Sequence, residues 1–171
     1  FLMSLSSLVF TLLGRIGKDK CMALKGKIKV LILGSGGREH ALLKVCLRSP
    51  RVSDVAVAPG NGGMAMEAKC YPVDLSKPSS VLDLVQRIEA DFVIVGPEVP
   101  LAHGVVDALE DAEIPTYGPL AAGARLEASK AFSKDFLFRH KIPTAAAETF
   151  HKLSDALDYV RKQPVPIVIK A

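Results

Sequence analysis

Four stretches of this 171-residue chain carry side chains or backbone that could do chemistry. The first is "GSGGRE", in which Gly34, Gly36 and Gly37 precede Arg38 and Glu39. Closely spaced glycines let backbone amides converge on a phosphate, and an arginine beside them adds a cationic fork. The second is Pro59-Gly60-Asn61, and the third is Gly96-Pro97-Glu98. A carboxylate at Glu98, fixed by the rigid Gly-Pro before it, can accept hydrogen bonds from sugar hydroxyls or an amine. The fourth is a pair of lysines, Lys130 and Lys170, suited to nucleotide phosphates. Each has a plainer reading. "GSGGRE" is also a tight strand-to-helix turn, and Pro-Gly-Asn is a turn signal before it is a ligand loop. Glu98 and the lysines are also ordinary solvated charges. His40 and His103 read as helix-turn and loop histidines and are assigned no chemistry.

The elements that must position these residues alternate. "IKVLIL" (28–33) is a β-branched run that reads as a buried strand. "REHALLKVCLRS" (38–49) has Ala41, Leu42, Val45 and Cys46 at helical spacing and ends before Pro50. Strands are expected at "DVAVA" (54–58), "KCYPV" (69–73), "DFVIVG" (91–96) and "IPTYG" (114–118). Helices are expected at 78–90 and 104–112. Strands that are apolar throughout and alternate with helices imply a parallel sheet covered on both faces. Right-handed crossovers then place "GSGGRE", "APGNGG" and "GPEVPLAHG" on one carboxyl edge, where open α/β sheets bind ligands. Beyond Tyr117 the rhythm changes. Helices are expected at 119–129, at 129–141 with Ser129 as N-cap and Phe132, Phe136 and Leu137 on one face, and at 153–163 with Ser154 capping. Strands are expected after "IPTAAAETF" (142–150) and at "PIVIKA" (166–171).

A dinucleotide-binding reading fails on two counts. Gly34 and Gly36 fit the first two glycines of G-x-G-x-x-G, but Glu39 stands in the last place. The second strand ends in Ala58-Pro59 rather than in the acid that would hold a ribose hydroxyl. The net charge of +4 lies entirely in residues 1–27, which hold Arg15, Lys18, Lys20, Lys25 and Lys27 against Asp19. The remaining residues are neutral, so nothing in their charge calls for nucleic acid. Cys21, Cys46 and Cys70 form neither a C-x-x-C pair nor a His cluster, which argues against zinc and against a disulfide framework. Residues 1–27 read as an extension outside the fold. The apolar run there is short for a membrane span and precedes its charges, unlike a secretory signal. Its serines and scarce acids fit a transit peptide, and Met22 is an alternative start.

In order and spacing, "VLILGSGGREHAL", "VAPGNGG", "VIVGPEVPLAHGVVDAL", "YGPLAAGARLEASKAFSKDFLFRHKIPTA" and "PIVIKA" resemble the phosphoribosylamine–glycine ligase (glycinamide ribonucleotide synthetase) family, over essentially all of 28–171. The resemblance implies an α/β fold: a doubly wound parallel sheet (pre-ATP-grasp domain) followed by the truncated start of an ATP-grasp domain. The implied divisions are an extension at 1–27, a substrate-binding domain at 28–128 and an incomplete ATP-grasp domain at 129–171. The implied reaction is ATP-dependent ligation of glycine to 5-phosphoribosylamine through a glycyl phosphate, in purine biosynthesis. Gly34, Gly36, Gly37, Arg38, Glu39, Pro59, Gly60, Asn61, Gly96, Pro97 and Glu98 match its substrate loops, and Lys130 and Lys170 match its ATP lysines. ATP and Mg²⁺ (or Mn²⁺) are the implied cofactors, with the metal ligands downstream of Ala171. The piece is therefore expected to be inactive alone, cytoplasmic, monomeric and free of nucleic-acid and membrane partners. The alternative is a non-catalytic phosphosugar-binding module.

Overall fold

The computed structural model describes residues 26–169. The expectations for residues 1–25, including the alternative start at Met22, and for Lys170 lie outside them. The described chain forms two compact units, divided between Ala128 and Ser129.

The first unit is a five-stranded sheet: β1 (Ile28–Gly34), β2 (Val52–Pro59), β3 (Lys69–Cys70), β4 (Phe92–Val95) and β5 (Thr116–Tyr117). The order is β3-β2-β1-β4-β5 and every pairing is parallel. The connecting helices are α1 (Gly37–Leu47), α2 (Pro78–Ile88), α3 (Glu98–Ala102) and α4 (Val105–Asp111), and α5 (Ala121–Ala128) follows β5. A single 3₁₀ turn, Met64–Met66, precedes β3.

Alternation along β1 explains why its sequence is apolar from Val30 to Leu33. Leu31 and Leu33 point to one face, where they pack with Val93, Val95, the α2 residues Val81 and Leu84 and the α4 residues Val105 and Leu109. Val30 and Ile32 point to the other, with Val55, Val57, Phe92, Met64 and the α1 residue Leu43. A strand buried on both sides has no polar position to spare. The expected apolar face of α1 needs correction. Leu43 is fully buried while Ala41 is exposed, and the only other buried residue of α1 is Glu39.

α3 lies within a stretch expected to be loop. Pro100 is its third residue, and there a missing N–H costs nothing because the first turn has no intrahelical acceptor.

The second unit holds α6 (Lys130–Arg139) and α7 (Leu153–Arg161), with no buried residue in either helix. The Ser129 hydroxyl accepts the Phe132 N–H at 3.3 Å, so it caps α6 as its residue type dictates. The rings of Phe132 and Phe136 lie 6.5 Å apart on one side of that helix. The expected cap of α7 is corrected: Lys152 is the N-cap residue, and the Ser154 hydroxyl donates instead to Asp155. The strands expected after 142–150 and over 166–169 are absent. A strand exists only through its ladder, and no described residue of this unit offers one a partner.

Candidate functional site

Parallel pairing brings the three glycine-containing loops together. Gly34 stands in register with Pro59, and Leu33 with Val95. The Gly60 N–H donates to the Gly34 carbonyl at 3.1 Å, and the Gly96 N–H donates to the Leu33 carbonyl at 3.3 Å. The ends of β2, β1 and β4 therefore form one continuous floor on the carboxyl edge of the sheet. Gly34, at φ +131°, and Gly60, at φ +74°, hold backbone conformations that other residues rarely adopt.

Asn61 ties the first two loops. Its Nδ2 donates to the Ser35 carbonyl at 2.8 Å, and its Oδ1 accepts the N–H groups of Gly63 (2.9 Å) and Met64 (3.0 Å). His40 and Lys44 of α1 both reach Glu67 Oε1, at 2.8 and 3.2 Å, fastening the helix to the segment before β3. The hydrogen bond from His40, then that from Lys44, holds the Glu67 carboxyl below its usual range.

Glu39 occupies the interior of the site. It is only 3 % exposed, although it is charged and sits in the first turn of a helix. Oε2 accepts the Gly36 N–H at 2.9 Å, and Oε1 accepts Arg38 Nε at 2.8 Å. Both carboxylate oxygens of Glu39, which the resemblance places among the substrate loops, are thus engaged inside the first loop.

Arg38, by contrast, is exposed, and its Nη2 lies 3.9 Å from Glu98 Oε1. The hydrogen bond to Glu39 raises its already high pKa, with the charges of Glu39, Glu98 and Glu127 acting in the same direction. Gly37, Arg38 and Glu39 are the first three residues of α1, where backbone N–H groups have no acceptor within the helix. Arg38 also lines an open cleft of about 670 Å³, together with Gly96, Leu42, Ile94, Tyr117 and Glu127. Glu127 and Tyr117 were not singled out from sequence, since an isolated acid on a short helix and a tyrosine after a proline carry no local signal.

Lys130 is the first residue of α6 and is exposed. It belongs to the second unit, and Lys170 is not among the described residues. Among the described residues, no group of three His, Cys, Asp or Glu side chains is placed to hold a metal ion. No helix among them is long and apolar enough to cross a membrane.

An all-parallel open sheet that collects its glycine loops, an exposed guanidinium and a carboxylate on one carboxyl edge defines a ligand-binding α/β domain of the doubly wound type. The comparisons with known proteins place it further. Residues 28–127 match the model of the phosphoribosylglycinamide synthetase N domain, and residues 128–171 match that of the same enzyme's ATP-grasp (A) domain. The chain belongs to the phosphoribosylglycinamide synthetase family. It is 49% identical over 146 residues to phosphoribosylamine–glycine ligase of Escherichia coli (strain K12), covering 84% of this chain and 34% of that protein. It is 50% identical over the same length to the ligase of Pseudomonas syringae pv. tomato, with the same coverage. The chain thus spans about a third of the length of the curated relatives it matches. Two solved structures share the fold. The phosphoribosylamine–glycine ligase of Thermotoga maritima has a TM-score of 0.56 at 24% identity, covering 79% of this chain and 30% of that one. The biotin carboxylase domain of a single-chain bacterial carboxylase has a TM-score of 0.58 at 13% identity, covering 79% of this chain and 34% of that one. The fold is therefore α/β, with the beginning of an ATP-grasp domain after the sheet.

Proposed function

We propose that residues 28–128 form the domain that binds the phosphorylated sugar amine in ATP-dependent ligation of glycine to 5-phosphoribosylamine, a step of purine biosynthesis that yields glycinamide ribonucleotide, ADP and phosphate. The observation that carries this reading is the pairing, on one loop edge, of an exposed guanidinium with an exposed carboxylate 3.9 Å away. A ligand with a phosphate at one end and an amine and hydroxyls at the other is complementary to that pair. The names of the curated relatives supply the particular substrates.

In this reading the outer Nη groups of Arg38 donate to phosphate oxygens. The amides of Gly37 and Arg38 add to them at the positive end of α1. Glu98 accepts from the amine or a ribose hydroxyl and orients the nucleophile. Gly60, Pro59 and Pro97 shape the floor, and Asn61 holds the first loop to the second. ATP supplies the activation of the glycine carboxylate, and Lys130 is the described residue assigned to its phosphates. The divalent metal that accompanies ATP in this reaction is assigned no ligand among the described residues.

Calorimetric titration with glycinamide ribonucleotide, which presents the same phosphoribosyl group, tests the reading. Saturable binding is expected. Arg38→Ala should weaken it about tenfold, the lower end of what a charge-assisted hydrogen bond of ~1.5–3 kcal/mol supplies, because Arg38 is largely solvated. No saturable binding by the unmodified chain, or equal binding by Arg38→Ala, overturns it.

A further inference from the structure

Gly34, Gly36 and Gly96, in the first and third loops, are crowded by one side chain. A Cβ on Gly36 would stand 2.8 Å from Glu39 Oε2, and its only other close neighbour would be the same carboxylate. A Cβ on Gly34 would stand 2.6 Å from Glu39 Cγ. A Cβ on Gly96, in the loop after β4, would overlap the Glu39 carboxylate itself. Gly36 and Gly96 have no positive φ that would demand glycine for backbone reasons. At Gly36 Glu39 alone stands in the way of a side chain, and at Gly96 the three atoms nearest a Cβ all belong to Glu39.

In a dinucleotide turn the missing side chains make room for a ligand's diphosphate. Here that room is filled from within. The Gly36 amide, which would point at such a ligand, already donates to Glu39 Oε2. The other oxygen holds Arg38 by Nε, the inner nitrogen of the guanidinium, which leaves the Nη pair directed outward toward Glu98.

We infer that Glu39 is the built-in occupant of the glycine turn and a positioning residue for Arg38: its buried carboxylate locks the first loop against the third and sets the direction of the guanidinium fork. A residue that only filled space would serve equally well uncharged. A residue that contacted the ligand would be open to solvent, and Glu39 is 3 % exposed. The inference rests on the proposed phosphosugar site only for its effect on binding; the locking of the loops stands apart from it.

Two arms separate these. In the first, thermal melts compare Gly96→Ala in the unmodified chain and in a Glu39→Ala background. Gly96→Ala should lower the melting temperature clearly in the former and not at all further in the latter, because the obstructing carboxylate is gone. An equal penalty in both backgrounds overturns the packing claim. Where Glu39→Ala does not fold, Glu39→Gln carries the test through hydrogen exchange at the Gly36 N–H and the Arg38 Nε–H: a carboxamide has one oxygen for the two positions, so one of these two protons should lose protection. Unchanged protection overturns the claim.

In the second arm, Glu39→Gln is titrated with glycinamide ribonucleotide. Removal of a negative charge near a phosphate site would by itself tighten binding. Loss of positioning should weaken it, by about tenfold, and Glu39→Gln should have no further effect in an Arg38→Ala background. Tighter binding, or an effect that survives in Arg38→Ala, overturns the positioning role. If the unmodified chain binds no ligand, the proposed function fails, and the melting and exchange results still decide whether Glu39 locks the loops.

Discussion

Asn61 offers the sharpest test of how the loop edge is held together. Asn61→Ala removes three hydrogen bonds at once: one to the Ser35 carbonyl and two from the N–H groups of Gly63 and Met64. The last two act as a cap on the 3₁₀ turn, and losing a cap of this type costs about 1 kcal/mol. The first spans 26 residues of sequence and joins separate loops. It is solvent-accessible, so a net loss of about 1 kcal/mol is appropriate. The sum, about 2 kcal/mol, lowers the melting temperature of a domain this size by roughly 8–16 °C. Asn61→Asp dissects the two parts. It keeps the acceptor for Gly63 and Met64 but sets a carboxylate oxygen against the Ser35 carbonyl. It should recover the cap and lose the tie, so that it melts between Asn61→Ala and the unmodified chain. Thermal unfolding followed by circular dichroism reads both. An Asn61→Ala variant within about 0.5 kcal/mol of the unmodified chain, the range of an ordinary surface substitution, would refute the reasoning. So would Asn61→Asp melting at the unmodified temperature.

Leu43→Ala should cost about 2–5 kcal/mol by chemical denaturation, because Leu43 is fully exposed to the sheet and to no solvent, and α1 has no other fully apolar buried side chain to take up its space; a loss below 1 kcal/mol would mean that α1 is not the cover of that face. Asp74 tests the electrostatics. Its pKa is lowered to about 2, first by the Ser76 hydroxyl at 2.6 Å, then by Lys77 at 3.0 Å and the Ser76 N–H. A depressed carboxylate stabilises the fold above its unfolded pKa, about 3.9, and loses that contribution as pH falls through the folded value. An NMR titration of Asp74 should therefore find its midpoint near 2, and Ser76→Ala should move it up toward the ordinary range; a midpoint unmoved by Ser76→Ala would show that the hydroxyl is not the cause.

Much of the α/β architecture was legible because burial leaves a plain trace. β1 and β4 read as strands since neither has a polar residue at its centre, and Ser129 read as a cap because a hydroxyl before a helix has one obvious use. The three site loops were legible for a similar reason: glycine and proline cluster where strands end. What failed depended on partners distant in sequence. Residues 166–169 have strand composition, but composition cannot supply a neighbouring ladder. α3 was hidden by Pro100, which signals loop unless its place in the first turn is known. Glu39 was legible only as the residue that spoils a fingerprint. That it fills the space beside Gly96, 57 positions away, required the register of β1 against β4.

The two outermost strands, β3 and β5, are each two residues long. An exposed strand edge is a template on which another chain can add, and its hazard grows with its length. Here the long strands β1 and β2 lie inside the sheet, β3 pairing with β2 only at Ala56–Val57 and β5 with β4 only at Val93–Ile94. The first domain therefore borders its most apolar strands with very short edge strands, and the part of β2 that β3 leaves uncovered carries the exposed, polar Ser53 and Asp54. Substitutions that lengthen β5 into the flanking "EIP" or "GPL" would be expected to raise aggregation before they disturb the three glycine-containing loops.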